Sequence, residues 1–202
     1  MTKNALEAGR MTMSSSQKQV EVSFEDSNPQ KWRVPLKEDS FRSFMEKEKN
    51  NATAQKVFAR GSLFSPFLFG KFFDPSDAFP LWEFEADLLL ATLRSSNHHC
   101  NVDWLQSDAD FTLKAELPGV GSSGVQICIE NRKVLEIRGV WREQQREGGG
   151  SDWKSSSHWW EHGFVRRIEL PENADWRKTE ANMNNDPMFL QISIPKAAAP
   201  NP

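Results

Sequence analysis

The chain has 202 residues, with 25 basic and 28 acidic side chains and a formal charge of −3 at neutral pH. This length fits one domain plus extensions, and the charge balance lacks the concentrated basic face that a nucleic-acid partner requires. Its two cysteines, Cys100 and Cys128, are too few for a secreted disulfide framework, and no apolar run approaches the roughly 20 residues of a membrane span.

Both thiols are therefore expected free, in a reducing compartment. Met1 to Gly9 contains no apolar signal core, and Ala199-Pro200-Asn201-Pro202 matches no common retrieval tag. Ser14-Ser15-Ser16 would suit a plastid transit peptide, but Glu7, Glu21, Glu25 and Asp26 argue against one. A cytoplasmic location is expected, with nuclear entry left open.

Residues 1–57 are polar, with isolated apolar residues such as Trp32, Phe41 and Phe44, and are expected to be mostly disordered apart from a short helix near Ser40 to Lys49. Composition then shifts. Across 58–84, Phe58, Phe64, Phe67, Phe69, Phe72, Phe73, Phe79 and Phe84 are joined by Leu63, Leu68, Leu81 and Trp82, while Pro66, Pro75 and Pro80 interrupt any regular period. These rings either pack as ordinary core or form an adaptable apolar surface. Residues 85–100 read as a linker, with a short helix possible over Asp87 to Leu93. His98-His99-Cys100 invites a metal assignment, but adjacent residues on an extended chain diverge, so no metal site is expected there.

From Val102 onward the period is 2. Phe111, Leu113, Ala115 and Leu117 alternate with Thr112, Lys114 and Glu116, until Pro118-Gly119 forces a turn. Val125, Ile127 and Ile129 alternate with Gln126, Cys128 and Glu130 up to Asn131-Arg132, and Val134 to Arg138 halts at Gly139. Phe164 to Leu170 is stopped by Pro171, and Phe189 to Ile194 by Pro195-Lys196. Closely spaced strands with polar turns and no helical period predict an all-β fold, an antiparallel two-sheet sandwich over 101–196 with a short tail at 197–202. Asp175 to Met188 reads as the connection between the last two strand blocks. His158 and His162 stand four apart in a strand-and-turn context, so their spacing is taken as coincidence. Trp159 and Trp160, if on a strand, face opposite ways and leave one exposed unless a partner covers it. Arg166 falls in phase with Phe164, Ile168 and Leu170, on the apolar face, where a guanidinium must find carboxylates or remain a costly unpaired charge.

The ordered set Val102-Asp103-Trp104, Ala115 to Val120, Val134 to Gly139, Phe164 to Ala174 and Leu190 to Lys196 resembles the α-crystallin domain of the small heat shock proteins, most nearly the plant members. The resemblance implies an immunoglobulin-like sandwich and an aromatic N-terminal arm that serves assembly and client capture, placing client binding on Phe58, Phe64, Phe67, Phe69, Phe72, Phe73, Phe79 and Trp82. It also implies that Trp153 lies on a strand exchanged between subunits, although it could simply cover its own sheet, and that Arg166 lies at the dimer interface rather than in a pair within one subunit. An edge groove is expected between Leu135 and Ile137 on one strand and Leu190 and Ile192 on another. Two departures qualify the likeness. Asp186-Pro187-Met188 replaces the family's glycine turn, and Ala197 to Pro202 carries no isoleucine-x-isoleucine pair, since Ile192-Ser193-Ile194 lies inside the last strand. A dimer or a loose arm-mediated assembly is therefore expected, with the groove open for clients or partners.

No Walker-type loop, serine elbow or metal helix occurs, so neither an enzyme nor a cofactor is expected. The leading function is an ATP-independent holdase that binds partly unfolded proteins under stress. The alternative is a sandwich-based adaptor or co-chaperone that recognises one folded partner. A sugar platform built on Trp153, Trp159 or Trp160 is a weaker third option.

Overall fold

The computed structural model describes residues 17–25, 34–68, 70–83, 102–117, 124–141, 154, 156–185 and 188–198. Seven strands build the sandwich: β6 (Val102–Gln106), β7 (Asp110–Glu116), β8 (Val125–Glu130), β9 (Val134–Val140), β10 (Gly163–Glu169), β11 (Glu180–Asn185) and β12 (Met188–Pro195). Before them come β1 (Gln17–Val20), β2 (Val22–Glu25), β3 (Phe67–Leu68), β4 (Lys71–Phe72) and β5 (Ala78–Phe79), with helices α1 (Glu38–Lys47) and α2 (Ala52–Val57). One sheet runs β1-β11-β12-β7-β6 and the other β2-β8-β9-β10-β5, while β3 and β4 form a small hairpin.

Alternation does the work that the sequence predicts. Phe111, Leu113 and Ala115 of β7 are buried, as are Leu190, Ile192 and Ile194 of β12, which pair with them in antiparallel register. Ile127 and Ile129 of β8 face Ile137 and Leu135 of β9 across the second sheet. The tight turn between those strands uses Asn131 at φ 50° and Arg132 at φ 61°. Positive φ at both central positions matches the right-handed twist of a hairpin, and asparagine tolerates it. Pairing within the sandwich is antiparallel, whereas β2 on β8 and β5 on β10 are parallel additions from the N-terminal part of the chain.

Three features depart from the sequence reading. The stretch read as a connection, 175–188, contains β11, in which only Ala181 and Met183 are apolar and both point inward, fully buried. Two apolar positions among asparagines are too weak a period to announce a strand. Trp159 and Trp160 are both buried, because they sit on a 3₁₀ turn, Trp159–Glu161, where successive side chains diverge by about 120° instead of 180°. Finally, beyond the short helix expected near Ser40 to Lys49, which is α1, the segments β1, β2 and α2 also take regular structure against the sandwich. α1 buries Phe41 and Phe44, three apart on one face, with Glu38 and Asp39 at its positive end and Lys47 at its negative end. α2 is capped by Asn51, whose side chain accepts from Thr53 N and Ala54 N, each at 3.1 Å. Composition averages hide these few well-placed rings.

Candidate functional site: the arm seated on the sandwich

The Phe-rich stretch crosses β10 and is attached there by shape and by charge. Phe64 is fully buried with its ring edge-on to Phe164, centroids 4.5 Å apart, and Phe164 in turn stacks on Trp141 at 6.0 Å. Room for the Phe164 ring exists because position 139 is glycine. A Cβ there would lie 2.2 Å from Phe164 Cζ and 2.9 Å from the Gly124 carbonyl oxygen.

Two residues along, Arg166 is completely buried and finds backbone carbonyls where carboxylates are expected. Its Nε donates to Leu63 O at 2.7 Å and its Nη2 donates to Ser65 O. Burial pushes the guanidinium down to about 10, and the Asp74 carboxylate nearby opposes that shift. Asp74 itself accepts from Leu36 N at 2.6 Å and from Ser76 N at 2.9 Å, and burial holds its carboxyl above the usual range. Arg166 is thus a clasp that grips the arm at residues 63 and 65, within one chain.

The expected client-binding rings divide by depth. Phe58, Phe64 and Phe79 are buried, while Phe67, Phe72, Phe73 and Trp82 are half-buried against the same core. Phe58 packs edge-on to Trp141 at 5.2 Å and to Phe41 at 5.2 Å. Phe67 and Phe72 pair at 5.5 Å across the β3–β4 hairpin, with the Arg42 guanidinium 4.9 Å over Phe67. Phe69 and Trp153 lie outside the described residues, as does His98-His99-Cys100.

The groove expected at Leu135, Ile137, Leu190 and Ile192 is a correction. All four are fully buried on β9 and β12, which are interior strands of their sheets. Alternation gives the phase of a strand but not its lateral place, so the inward residues were identified and the edge was not. The sandwich edge on that side consists of β8 and β11, and β1 and β2 cover it. Sequence reasoning missed this segment, although Val20-Glu21-Val22-Ser23-Phe24 alternates over five positions.

The outer face of β8, β9 and β10 holds a buried charge seam. Glu130 and Glu136 are fully enclosed. Arg167 reaches Glu130 at 2.6 Å, and Lys154 and Arg138 reach Glu136 at 2.9 and 2.8 Å. Glu25, Cys128 and Glu130 bring potential ligand atoms within 4.8 Å of one another. However, Glu130 is engaged by Arg167, and burial pushes the Cys128 thiol up, away from the thiolate that a metal would need.

No helix among the described residues is long and apolar enough to cross a membrane. Residues 103–202 match the Hsp20/alpha crystallin family. The 21.7 kDa class VI heat shock protein of Arabidopsis thaliana is 50% identical over 194 residues, covering 95% of this chain and 99% of that protein. The 22.3 kDa class VI heat shock protein of Oryza sativa subsp. japonica is 45% identical over 180 residues, covering 85% and 88%. Among solved structures, a small heat-shock protein from Xylella fastidiosa aligns with 26% identity over 50% of this chain and 88% of that one, with a TM-score of 0.37. With the expected antiparallel two-sheet sandwich and a relative half identical across nearly its whole length, this chain belongs to the Hsp20/alpha crystallin family of small heat shock proteins, which are non-enzymatic chaperones.

Proposed function

We propose that the chain is an ATP-independent holdase of the cytoplasm that binds partly unfolded proteins and slows their aggregation under heat or other stress. The observation that carries this is the seating of the arm. A ring-rich segment covers the sandwich without covalent ties, gripped at one end by the Arg166 clasp and presenting half-buried rings at Phe67, Phe72, Phe73 and Trp82. Lifting that segment exposes Phe58, Phe64 and Phe79 as well, an apolar surface able to meet patches of varied shape. Individual contacts are weak, and strength comes from several arms acting together.

On this proposal, residues 1–100 are the capturing arm, 101–196 the α-crystallin domain and 197–202 a tail. Copies associate as a dimer or a loose larger assembly. Arg166 and Trp153 serve that interface, Arg166 once the arm's carbonyls have released it. The test is light scattering from several unrelated heat-denatured proteins, without nucleotide. Wild type should suppress scattering, and the combined Phe67→Ser, Phe72→Ser and Phe73→Ser substitutions should weaken that suppression. If wild type suppresses none of them, the holdase proposal fails, and one dedicated folded partner becomes the object of search.

A further inference from the structure

One end of the sandwich gathers aromatic rings and guanidiniums that the arm does not use. Trp176 opens the 3₁₀ turn Trp176–Lys178 between β10 and β11. It is half-buried, with Phe24 of β2 edge-on to it at 5.6 Å. Two exposed arginines lie over the indole, Arg177 with its Cζ 4.4 Å from the ring centroid and Arg132 at 5.9 Å, while Phe24 is itself 49% exposed. Arg132 arrives there from the β8–β9 turn at φ 61°. That conformation suits glycine and is costly for a residue with a Cβ, so the turn carries strain at the position that delivers a guanidinium to the indole. The nearby carboxylates are committed elsewhere. Glu169 bonds Lys133 at 2.8 Å, Glu172 adds to the field at that ammonium, and Asp175 bonds Lys178 at 2.9 Å. Glu25, next to Phe24, brings its carboxylate within 4.8 Å of the ligand atoms of Cys128 and Glu130. Among the described residues, neither Arg132 nor Arg177 has a carboxylate partner, and the Trp176 Nε1–H has no acceptor.

We propose that Arg132, Trp176, Arg177 and Phe24 form a docking surface for an acidic, extended peptide segment of a partner protein, with carboxylates at alternate positions and an apolar side chain beside them. A guanidinium is a planar fork that meets a carboxylate through two parallel bonds, and contact with an indole holds that fork in place beforehand. Carboxylates two residues apart on an extended chain stand about 7 Å apart, a distance that two guanidiniums over one indole can span. Phe24 receives the apolar side chain, and the Trp176 Nε1–H is left for a carbonyl of the segment. Charge complementarity sets the choice of partner. Nucleic acid fits less well, because its repeated phosphates call for a run of unpaired cations, whereas Lys133 and Lys178 already have carboxylates. This inference goes beyond the chaperone proposal and does not rest on it, since the rings of that proposal lie on the Phe-rich arm.

The probe is a fluorescent peptide of alternating glutamate and leucine, about ten residues long so that it spans the patch when extended, titrated with full-length protein and followed by anisotropy. At low ionic strength it should bind saturably, and added salt should weaken it, because exposed charges are screened. Arg132→Gln combined with Arg177→Gln should weaken binding about tenfold. Lys133→Gln combined with Lys178→Gln removes the same charge from side chains that are already paired, and should change binding by less than about twofold. All four side chains are exposed, so both double variants should keep the wild-type circular dichroism spectrum. A peptide of alternating glutamine and leucine should bind wild type about tenfold less tightly than the glutamate peptide. Equal losses in the two double variants would reduce the effect to general charge and overturn the surface, as would the absence of binding to wild type. Binding indifferent to Arg132 and Arg177 would place the peptide on the arm as a client and refute the proposal. Tighter binding of a uridine oligonucleotide of the same length, lost in the arginine variant, would give the surface to nucleic acid and refute it equally.

Discussion

Arg166→Met separates the grip on the arm from the stability of the sandwich. Burial holds the guanidinium at about 10, and at about 1.4 kcal/mol per pKa unit, enclosing that charge costs on the order of 3 kcal/mol. The bonds to Leu63 O and Ser65 O offset this, at about 1.5–3 kcal/mol each for a charged donor. Methionine fills much of the same space without charge, so the burial cost and the two bonds vanish together, and the sandwich should stay within about 2 kcal/mol of wild type. The arm does not share in that compensation. Two buried carbonyls lose their donors, about 1–3 kcal/mol each, so local opening should become easier by about 3 kcal/mol, on the order of 100-fold. Amide hydrogen exchange resolves the two effects. The amides of Ser65, bonded to Ser62 O at 3.1 Å, and Phe73, bonded to Pro66 O at 2.7 Å, report the arm, while those of β9 report the sandwich. Arm amides should exchange about 100-fold faster in the variant, with β9 amides changed by less than about 30-fold. Unchanged arm amides, or β9 amides accelerated as much as the arm, would refute the clasp.

Gly139→Ala should destabilise the protein by about 3 kcal/mol, because the new Cβ meets Phe164 Cζ at 2.2 Å and a backbone oxygen at 2.9 Å, and that ring is already packed against Phe64. The melting temperature should fall by roughly 6–12 °C for a chain of this length, and Phe164→Leu in the same molecule should recover part of the loss. Glu136→Gln strips Lys154 and Arg138 of a buried carboxylate and should cost about 3–5 kcal/mol in urea unfolding. Adding Lys154→Met should restore part of that stability, and a double variant no better than the single one would mean that the seam is not coupled.

The strands β7, β8, β9, β10 and β12 were legible because each alternates over at least five residues and ends at a proline, a glycine or a polar turn. β11 was not, since Ala181 and Met183 are its only inward apolar residues, and its place is set by pairing with β12 rather than by its own pattern. Arg166 was legible as a misplaced charge on an apolar face. Its partners were not, because backbone carbonyls have no signature in a sequence and any residue at 63 or 65 offers one. Likewise the pattern at Leu135, Ile137, Leu190 and Ile192 announced inward side chains, while lateral order within a sheet depends on contacts between distant strands that no local window contains.

The two attachments of the N-terminal part differ in kind, and this difference orders their release. The Phe-rich segment is held by deep ring burial, Phe64 and Phe58 above all, reinforced by the Arg166 clasp. Burial of apolar surface does not weaken on modest warming, because its driving force near room temperature is entropic. The ribbon 17–25 has little such burial and relies on backbone bonds at a solvent-exposed edge, the low end of local stability in a folded domain. Heat therefore opens the β8/β11 edge before it frees the rings.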